Sequence, residues 1–204
     1  MIDFLYSKSN VISKEICDSF ITSFEKSSLK QMIDAKLSDG SIHKKSTDIH
    51  FKNDTKSEWY INEKDIWMDL LFELYSVINK NLKEYTEIYP EINQLPPIEC
   101  DRFNFQKYNP GEGFGGWHFE SNYGTGTQPY GNSSRKLVWM IYLNDVDDGG
   151  TEFKYQKHKE TAECGKLLIW PAEWMFTHKG EISNTKTKYI LTGWFEDFKF
   201  DELP

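Results

Sequence analysis

An imidazole and a carboxylate stand two residues apart in the segment 115–120, Gly-Gly-Trp-His-Phe-Glu. The segment predicts the end of a strand, where alternation places His118 and Glu120 on one face and Phe119 on the other. Two such side chains on one face can bind a metal ion from one side, and a further ligand must come from elsewhere in the chain. The spacing therefore predicts one part of a metal site.

A second imidazole would complete the set of two histidines and one carboxylate that is typical of non-haem iron oxygenases. Two of the remaining histidines precede the predicted strands, and His158 stands between two lysines, where a metal cation would be repelled. His178 is left, after an apolar segment and before a glycine. Taken alone, such a residue is more often structural than a ligand, but pairing with His118 and Glu120 favours the ligand.

One basic residue opens the apolar segment 187–195, Thr-Lys-Tyr-Ile-Leu-Thr-Gly-Trp-Phe. An unpaired buried ammonium is costly. Lys188 therefore either extends into solvent or meets an anion inside the fold. A solvated lysine at the end of a strand is the simpler alternative, and an anionic cosubstrate would favour the buried one.

The composition predicts a globular protein whose core and pocket walls are built largely from aromatic rings. The 204 residues suffice for a single domain with a real core, and aromatic side chains make up 16% of them. The net charge of −8 argues against a general nucleic-acid or membrane-surface binder. No basic stretch is long enough to neutralise many phosphates.

The lengths of the apolar runs and the spacing of the cysteines predict where in the cell the protein is located. No window approaches the roughly 18 apolar residues of a transmembrane helix, and the first residues lack the basic start of a secretory signal. The three cysteines are widely spaced and predict neither a zinc site nor a disulfide framework. We therefore expect a cytoplasmic protein without a membrane partner.

Helical periodicity is confined to the first half of the chain. Apolar residues at spacings of three and four predict helices over 14–26, capped by Ser13, and over 63–84. The stretch 28–60 is polar and poorly periodic, and we interpret it as a solvated loop of the kind that can also cover an active site.

From residue 100 the apolar period changes to two, which predicts about seven or eight short strands. The clearest of them cover 102–108, 114–120, 136–144, 151–155, 166–170, 175–178 and 188–195. Residues 121–134 form a candidate lid, and 156–163 a charged loop. Helices followed by strands predict an α+β fold within a single domain, residues 1–204. A helical flank and loop (1–98) would surround an antiparallel barrel or jelly roll (99–198).

Four blocks of sequence follow one another between residues 102 and 195. They are Tyr108-Asn109-Pro110-Gly111 with His118 ten residues after the tyrosine, 140–144 followed by Gly149-Gly150-Thr151, 165–178 with Trp170-Pro171, and 187–195. In this order and at these spacings they resemble the iron(II)/2-oxoglutarate dioxygenase superfamily, most closely its prolyl 4-hydroxylase-like branch. Any one block alone is a weak signal, and the residues before about 100 are not covered.

The resemblance implies a double-stranded β-helix, a jelly-roll or cupin-like barrel, with flanking N-terminal helices. It also implies that His118, Glu120 and His178 bind Fe(II), and that Lys188 pairs with the distal carboxylate of 2-oxoglutarate. O2 would be the oxidant, and ascorbate is a further candidate cofactor.

Three more site residues follow from the same resemblance. Tyr142 would hydrogen bond the distal carboxylate, Tyr108 would line the site, and Trp194 would form part of its wall. The implied reaction hydroxylates a carbon of an amino-acid side chain and releases succinate and CO2, with prolyl residues of a peptide or protein as the leading substrate.

Other interpretations stay open. The same chemistry could act on a small metabolite, or the barrel could be a binding protein without turnover. A cupin that binds a sugar or an acid without 2-oxoglutarate would leave Lys188 unexplained. The oligomeric state is not predicted.

The sequence departs from the family at one predicted ligand and differs from one of its branches at another position. Glu120 stands where the family usually has aspartate, and its oxygens reach roughly 1.5 Å further from the backbone. Lys188 stands where the nucleic-acid demethylase branch has arginine, which argues against a nucleic-acid substrate.

Overall fold

The computed structural model describes residues 2–36, 40, 42–121 and 134–197. Most of the candidate lid, residues 122–133, lies outside the described residues. The helices and strands of the described part are α1 (Lys14–Lys26), α2 (Glu58–Ile88), β1 (Tyr6–Lys8), β2 (Gln31–Lys36), β3 (Ile42–Lys52), β4 (Ile98–Glu99), β5 (Arg102–Tyr108), β6 (Arg135–Tyr142), β7 (Val146–Phe153), β8 (His158–Ala162), β9 (Leu167–Pro171), β10 (His178–Gly180) and β11 (Lys188–Asp197).

The first helix has the predicted bounds, and the second is longer than predicted. The Ser13 hydroxyl caps α1 by accepting a hydrogen bond from the backbone N–H of Ile16 at 3.3 Å. Helix α2 begins at Glu58 and is kinked at Glu63, where φ is −136° and ψ is 24°. The buried face continues across the kink from Trp59 through Glu63 to Trp67, so the charged residue at the middle position interrupts the apolar pattern and explains why the prediction began too late. Neither helix combines the length and the apolarity needed to cross a membrane.

The described strands form two antiparallel sheets. The large sheet has the order β1-β9-β6-β11-β5-β3-β2, with β4 also paired to β11, and the small sheet has the order β10-β7-β8. One apolar cluster lies between the large sheet and the helices. A second cluster contains side chains of both sheets and surrounds the site described below.

Strand β11 separates these two environments by simple alternation. Leu191 and Phe195 are fully buried in the cluster on the helix side. Ile190 and Trp194 belong to the cluster between the sheets, and Lys188 is buried on that same side. The period of two therefore directs Lys188 into the fold. Of the two alternatives from the sequence, solvated or buried, the structure has the buried one.

The loop interpretation of residues 28–60 is wrong where β2 and β3 form. Strand β3 pairs with β5 in a register that sets Ile49 opposite Phe105 and Asp48 opposite Gln106. Only the Ile49 side of β3 meets the aromatic core, because the other side carries polar residues that face the space between the sheets. A strand that is polar on its buried inner face gives no apolar alternation.

Three shorter predictions are also corrected. The segment 114–120 is not a strand, since His118 forms only an isolated bridge to His178. Much of the charged loop 156–163 is strand β8. The segment 175–178 contains the end of a 3₁₀ turn, Trp174–Phe176, and the first residue of β10. Short edge segments like these depend on pairing with distant residues, which local patterns do not report.

Candidate metal centre

The two backbone segments that carry the predicted ligands hydrogen bond to each other directly. The N–H of His118 donates to the carbonyl of His178 at 3.0 Å, and the N–H of His178 donates back to the carbonyl of His118 at 2.9 Å. The two imidazole centroids are 4.4 Å apart. This bridge brings together side chains that are 60 positions apart in the chain.

Strand β3 supports the segment before the first of these histidines. The N–H of Gly116 donates to the carbonyl of His43 at 3.2 Å. A Cβ at Gly116 would collide with the His43 imidazole, so only glycine permits this approach. The Phe114 ring stacks on the imidazole of His118 with centroids 3.7 Å apart. The stretch interpreted as solvated loop therefore helps to orient a predicted ligand.

The hydrogen bonds of the imidazoles leave the same nitrogen free in both. Nδ1 of His118 is 2.8 Å from the carbonyl oxygen of Gly116, and Nδ1 of His178 is 2.8 Å from that of Phe176. A carbonyl only accepts, so Nδ1 carries the proton and Nε2 offers its lone pair. Ligand atoms of both histidines and of Glu120 lie within 4.8 Å of one another. This donor set fits one divalent metal ion.

His178 and Glu120 both favour the protonation state that binds metal. Burial and the nearby His118 lower the pKa of His178 to about 4, so its imidazole is neutral near pH 7. Burial alone would raise the pKa of Glu120. The guanidinium of Arg135, together with His118 and His178 when these are protonated, lowers it to about 2. His178 therefore offers a neutral nitrogen, and Glu120 offers an ionised carboxylate.

The two oxygens of Glu120 have different surroundings. Oε2 accepts a hydrogen bond from Nη1 of Arg135 at 2.8 Å and another from Nε1 of Trp194 at 3.0 Å. Oε1 lies 3.5 Å from Nε2 of His118, on the side of the imidazoles. The predicted wall residue Trp194 thus contacts a predicted ligand directly.

A cavity of about 230 Å³ extends from the three ligands between the two sheets. Its lining includes every residue that the sequence singled out for the site. These residues are His118, Glu120, His178, Lys188, Tyr142, Tyr108 and Trp194. His158 does not line it: its Nε2 lies 2.9 Å from Oε1 of Glu160 in β8.

Lys188 is only 3% exposed, and it lines the cavity. It donates to the carbonyl oxygens of Gly149 at 2.8 Å and Glu181 at 2.9 Å. Its third N–H has no acceptor among the described residues. Burial lowers the pKa of Lys188 to about 8, against the opposing charges of Glu181 and Asp148. A buried cation with a free donor can bind an anion in the cavity.

Polar groups that the sequence analysis missed hold the two tyrosines of the cavity. The hydroxyl of Tyr142 is 2.6 Å from Oγ1 of Thr151. The hydroxyl of Tyr108 donates to Oε1 of Gln106 at 2.7 Å, and Nε2 of Gln106 donates to Asp48 at 3.1 Å. The signal that could have found Gln106 is alternation, which places it on the same face of β5 as the predicted site residue Tyr108.

Two basic residues of the cavity region were also missed. Lys44 lines the cavity and donates to the fully buried Asp48 at 2.6 Å. Arg135 opens β6, where a basic residue at the start of an apolar strand resembles the Lys188 pattern and could have been noticed on that ground.

Comparisons with known proteins are consistent with this geometry. Residues 103–196 match the family described as the 2OG-Fe(II) oxygenase superfamily. A search of curated proteins finds no match.

Solved structures of low sequence identity share the fold. A viral collagen prolyl hydroxylase from Paramecium Bursaria Chlorella virus-1, in its 2OG complex, has 16% identity and a TM-score of 0.67, covering 97% of each chain. A Pseudomonas putida prolyl-4-hydroxylase has 12% identity and a TM-score of 0.65, covering 96% of this chain and 94% of its own.

A prolyl hydroxylase from Trichoplax adhaerens, solved with a hypoxia inducible factor peptide fragment, has 12% identity and a TM-score of 0.63, covering 96% of this chain and 84% of its own. The likeness to these structures confirms the predicted fold class, a double-stranded β-helix with flanking helices.

Proposed function

We propose that this dioxygenase, whose residues 103–196 match the 2OG-Fe(II) oxygenase superfamily, hydroxylates an amino-acid side chain, with prolyl residues of a peptide or protein as the leading substrate. The family uses Fe(II), 2-oxoglutarate and O2, as the resemblance implied. Release of succinate and CO2 is part of the proposal.

One observation carries the proposal: a single cavity joins two imidazoles and a carboxylate to a buried ammonium. We assign His118, Glu120 and His178 as the metal ligands, since their ligand atoms lie within 4.8 Å of one another. We assign Lys188 to the distal carboxylate of 2-oxoglutarate, since its remaining N–H is available in the same cavity. Fe(II) would supply the redox chemistry with O2 when it is bound.

The other cavity residues would orient the cosubstrate and exclude water. The hydroxyl pair of Tyr142 and Thr151 offers a hydrogen bond near the ammonium end of the cavity. Tyr108 lies beneath the ammonium, with Nζ of Lys188 5.2 Å from its ring centroid. Trp194 forms the wall at Glu120. Apolar side chains of both sheets close the rest of the chamber and keep a reactive site dry.

The shape around the cavity supports an extended substrate. A second, more open depression of about 510 Å³ shares Asn104 and Trp194 with the cavity and is also lined by His50 and Arg102. A chain could lie in this depression with one side chain directed toward the metal ligands. A small metabolite needs no such extension, and it remains the second candidate because the inner cavity is itself large enough for a small molecule.

Two related proposals concern the whole chain. Residues 1–204 would act as one domain in which 99–198 carry the site and 1–98 flank it, and the pairing of β3 with β5 supports a single unit. A cytoplasmic location is supported by the three cysteines, none of which is in a disulfide.

The test is succinate formation by the purified protein with Fe(II), 2-oxoglutarate and O2, with and without proline-containing peptides. We expect slow succinate formation alone, faster formation with a peptide that fits, and a mass gain of one oxygen in that peptide. His178→Ala should abolish all three signals. Succinate formation that small metabolites stimulate and peptides do not would favour the second candidate. Metal binding without any succinate would favour a binding protein.

A further inference from the structure

The two carboxylate oxygens of Glu120 contact different kinds of partner. Oε2 accepts hydrogen bonds from the guanidinium of Arg135 at 2.8 Å and the indole N–H of Trp194 at 3.0 Å. Oε1 faces the imidazole of His118 at 3.5 Å. Only Oε1 is therefore free to turn its lone pairs toward a metal ion held by the two histidines.

The two donors are themselves fixed. The guanidinium carbon of Arg135 lies 3.5 Å from the centroid of the Trp194 ring, so the two side chains stack. Nε of Arg135 lies 3.4 Å from Oε1 of Glu196, which also accepts from Nη2 of Arg102 at 2.9 Å. Glu196 is buried and Arg135 is only 11% exposed at its side chain. A stacked and doubly paired guanidinium is a rigid donor.

This arrangement bears on the length of Glu120. A glutamate side chain has one more rotatable bond than aspartate, and a carboxylate can bind a metal with one oxygen or with both. Two-oxygen binding would fill one of the positions that a site of two histidines and one carboxylate leaves open. In this protein it would require Oε2 to give up both the guanidinium and the indole donor.

We propose that Arg135 and Trp194 are positioning residues that limit Glu120 to one-oxygen coordination and so keep a metal position open for the cosubstrate. The proposal rests on the proposed function, because it takes His118, Glu120 and His178 as the metal ligands. It goes beyond that function because it assigns a positioning role to Arg135, and to Trp194 in addition to its role in the cavity wall.

The test uses Mn(II) as the probe, because water-proton relaxation by bound Mn(II) reports the number of water molecules on the ion. The variants are Arg135→Met, which keeps an unbranched stem on the Trp194 ring, and Trp194→Phe, which removes only the indole donor and keeps a ring. The matched control is Arg102→Met, which removes the other arginine that binds Glu196 but has no hydrogen bond to Glu120. Circular dichroism and urea unfolding check that each variant is folded.

We expect the relaxation per bound Mn(II) to fall by about a third in Arg135→Met, because the freed oxygen replaces one of about three waters on a six-coordinate ion. The dissociation constant for Mn(II) should not rise, and that for 2-oxoglutarate should rise at least about tenfold. Trp194→Phe should also lower the relaxation per bound Mn(II) and raise the dissociation constant for 2-oxoglutarate, but by less than Arg135→Met. Arg102→Met should stay within about twofold of wild type.

Three outcomes would overturn the proposal. The first is a folded Arg135→Met variant with wild-type relaxation and 2-oxoglutarate affinity. The second is a folded Arg135→Met variant that loses Mn(II), since Arg135 would then hold the ligand in place rather than limit it. The third is a wild-type protein that binds no Mn(II), which removes the metal site of the proposed function as well.

Discussion

The two faces of the large sheet bury similar aromatic residues but differ in the charged side chains that their strands bury. On the helix face, Phe24 of α1 packs against Phe105 of β5 with ring centroids 4.5 Å apart, and the strands offer this side little besides hydrocarbon and rings. On the cavity face, the same strands and their neighbours bury Lys188, Asp48 and Glu196. Each of these charges costs free energy of desolvation that the fold must offset.

The difference separates what stabilises the fold from what performs chemistry. Apolar burial explains most of the helix face, because its rings only need to be removed from water. The buried Glu63 of α2 is an exception, and its carboxylate accepts hydrogen bonds from Ser27 and Trp67. Buried charges persist on the cavity face because they have partners or a ligand to bind. Substitutions on the two faces should therefore change different observables, and the following experiments test that separation from the largest expected effect to the smallest.

Phe24→Ala should have the largest effect on stability. The ring is fully buried on the helix face, so its removal leaves a cavity and should lower the free energy of unfolding by about 3–5 kcal/mol. Metal affinity of the folded protein should not change. Urea unfolding followed by circular dichroism measures the loss. The control is Phe72→Ala on α2, where the ring is 78% exposed and the expected change is within about 0.5 kcal/mol.

Lys188→Met should show the opposite pattern. Removing a buried charge-assisted donor should weaken 2-oxoglutarate binding by about ten- to a hundredfold, while the free energy of unfolding changes by less than about 1 kcal/mol. Calorimetric titration of the metal-loaded protein measures the affinity. Lys166→Met is a matched control, because Lys166 is also buried but pairs with Glu163 at 2.6 Å outside the cavity lining. Equal losses in both variants would contradict the assignment of Lys188.

The pH dependence of 2-oxoglutarate binding is a second test of the assignment of Lys188. Burial lowers the pKa of Lys188 to about 8, so the ammonium is charged below that pH and loses its proton above it. Wild-type affinity for the dianion should therefore be level near pH 7 and fall by up to about tenfold per unit well above pH 8. Burial raises the pKa of Tyr108 well above its usual range, so that neighbour stays neutral. Lys188→Met should not show the fall, and an identical pH profile in that variant would assign it to another group.

Glu120→Asp should have the smallest effect. The shorter carboxylate retracts by roughly 1.5 Å and cannot reach the metal and the Arg135–Trp194 pair at once. Because the local backbone can adjust, we expect metal binding and succinate formation to persist within about tenfold of wild type. Metal titration and a succinate assay measure both. Complete loss would indicate that the backbone at Glu120 is adapted to the longer side chain.

Local patterns were sufficient for the segments in which apolar periodicity is strong. Helix α1 follows its predicted bounds because its apolar residues face one surface and Ser13 caps it. Strands β5 and β11 follow theirs closely because alternation is strong in both. These elements contact the helix-side cluster, where the partner is generic hydrocarbon and the exact neighbour matters little.

Local patterns failed where polar residues find buried partners far away in the chain. The pattern of strand β3 predicts a loop because its cavity side is polar, and Asp48 on that side pairs with Gln106, 58 positions away. Arg135 escaped notice because its partners, Glu120 and Glu196, lie 15 and 61 positions away. Family resemblance supplied the ligand and cosubstrate residues, and it said nothing of these supporting contacts.

The most direct test of the account is Fe(II) binding by wild type and His178→Ala under anaerobic conditions, with His158→Ala as a control outside the cavity. We predict one Fe(II) per wild-type chain, the same for His158→Ala, and affinity weakened by more than about a hundredfold in His178→Ala. His178→Ala protein that binds one Fe(II) with wild-type affinity would contradict the claim that His118, Glu120 and His178 hold a single metal ion.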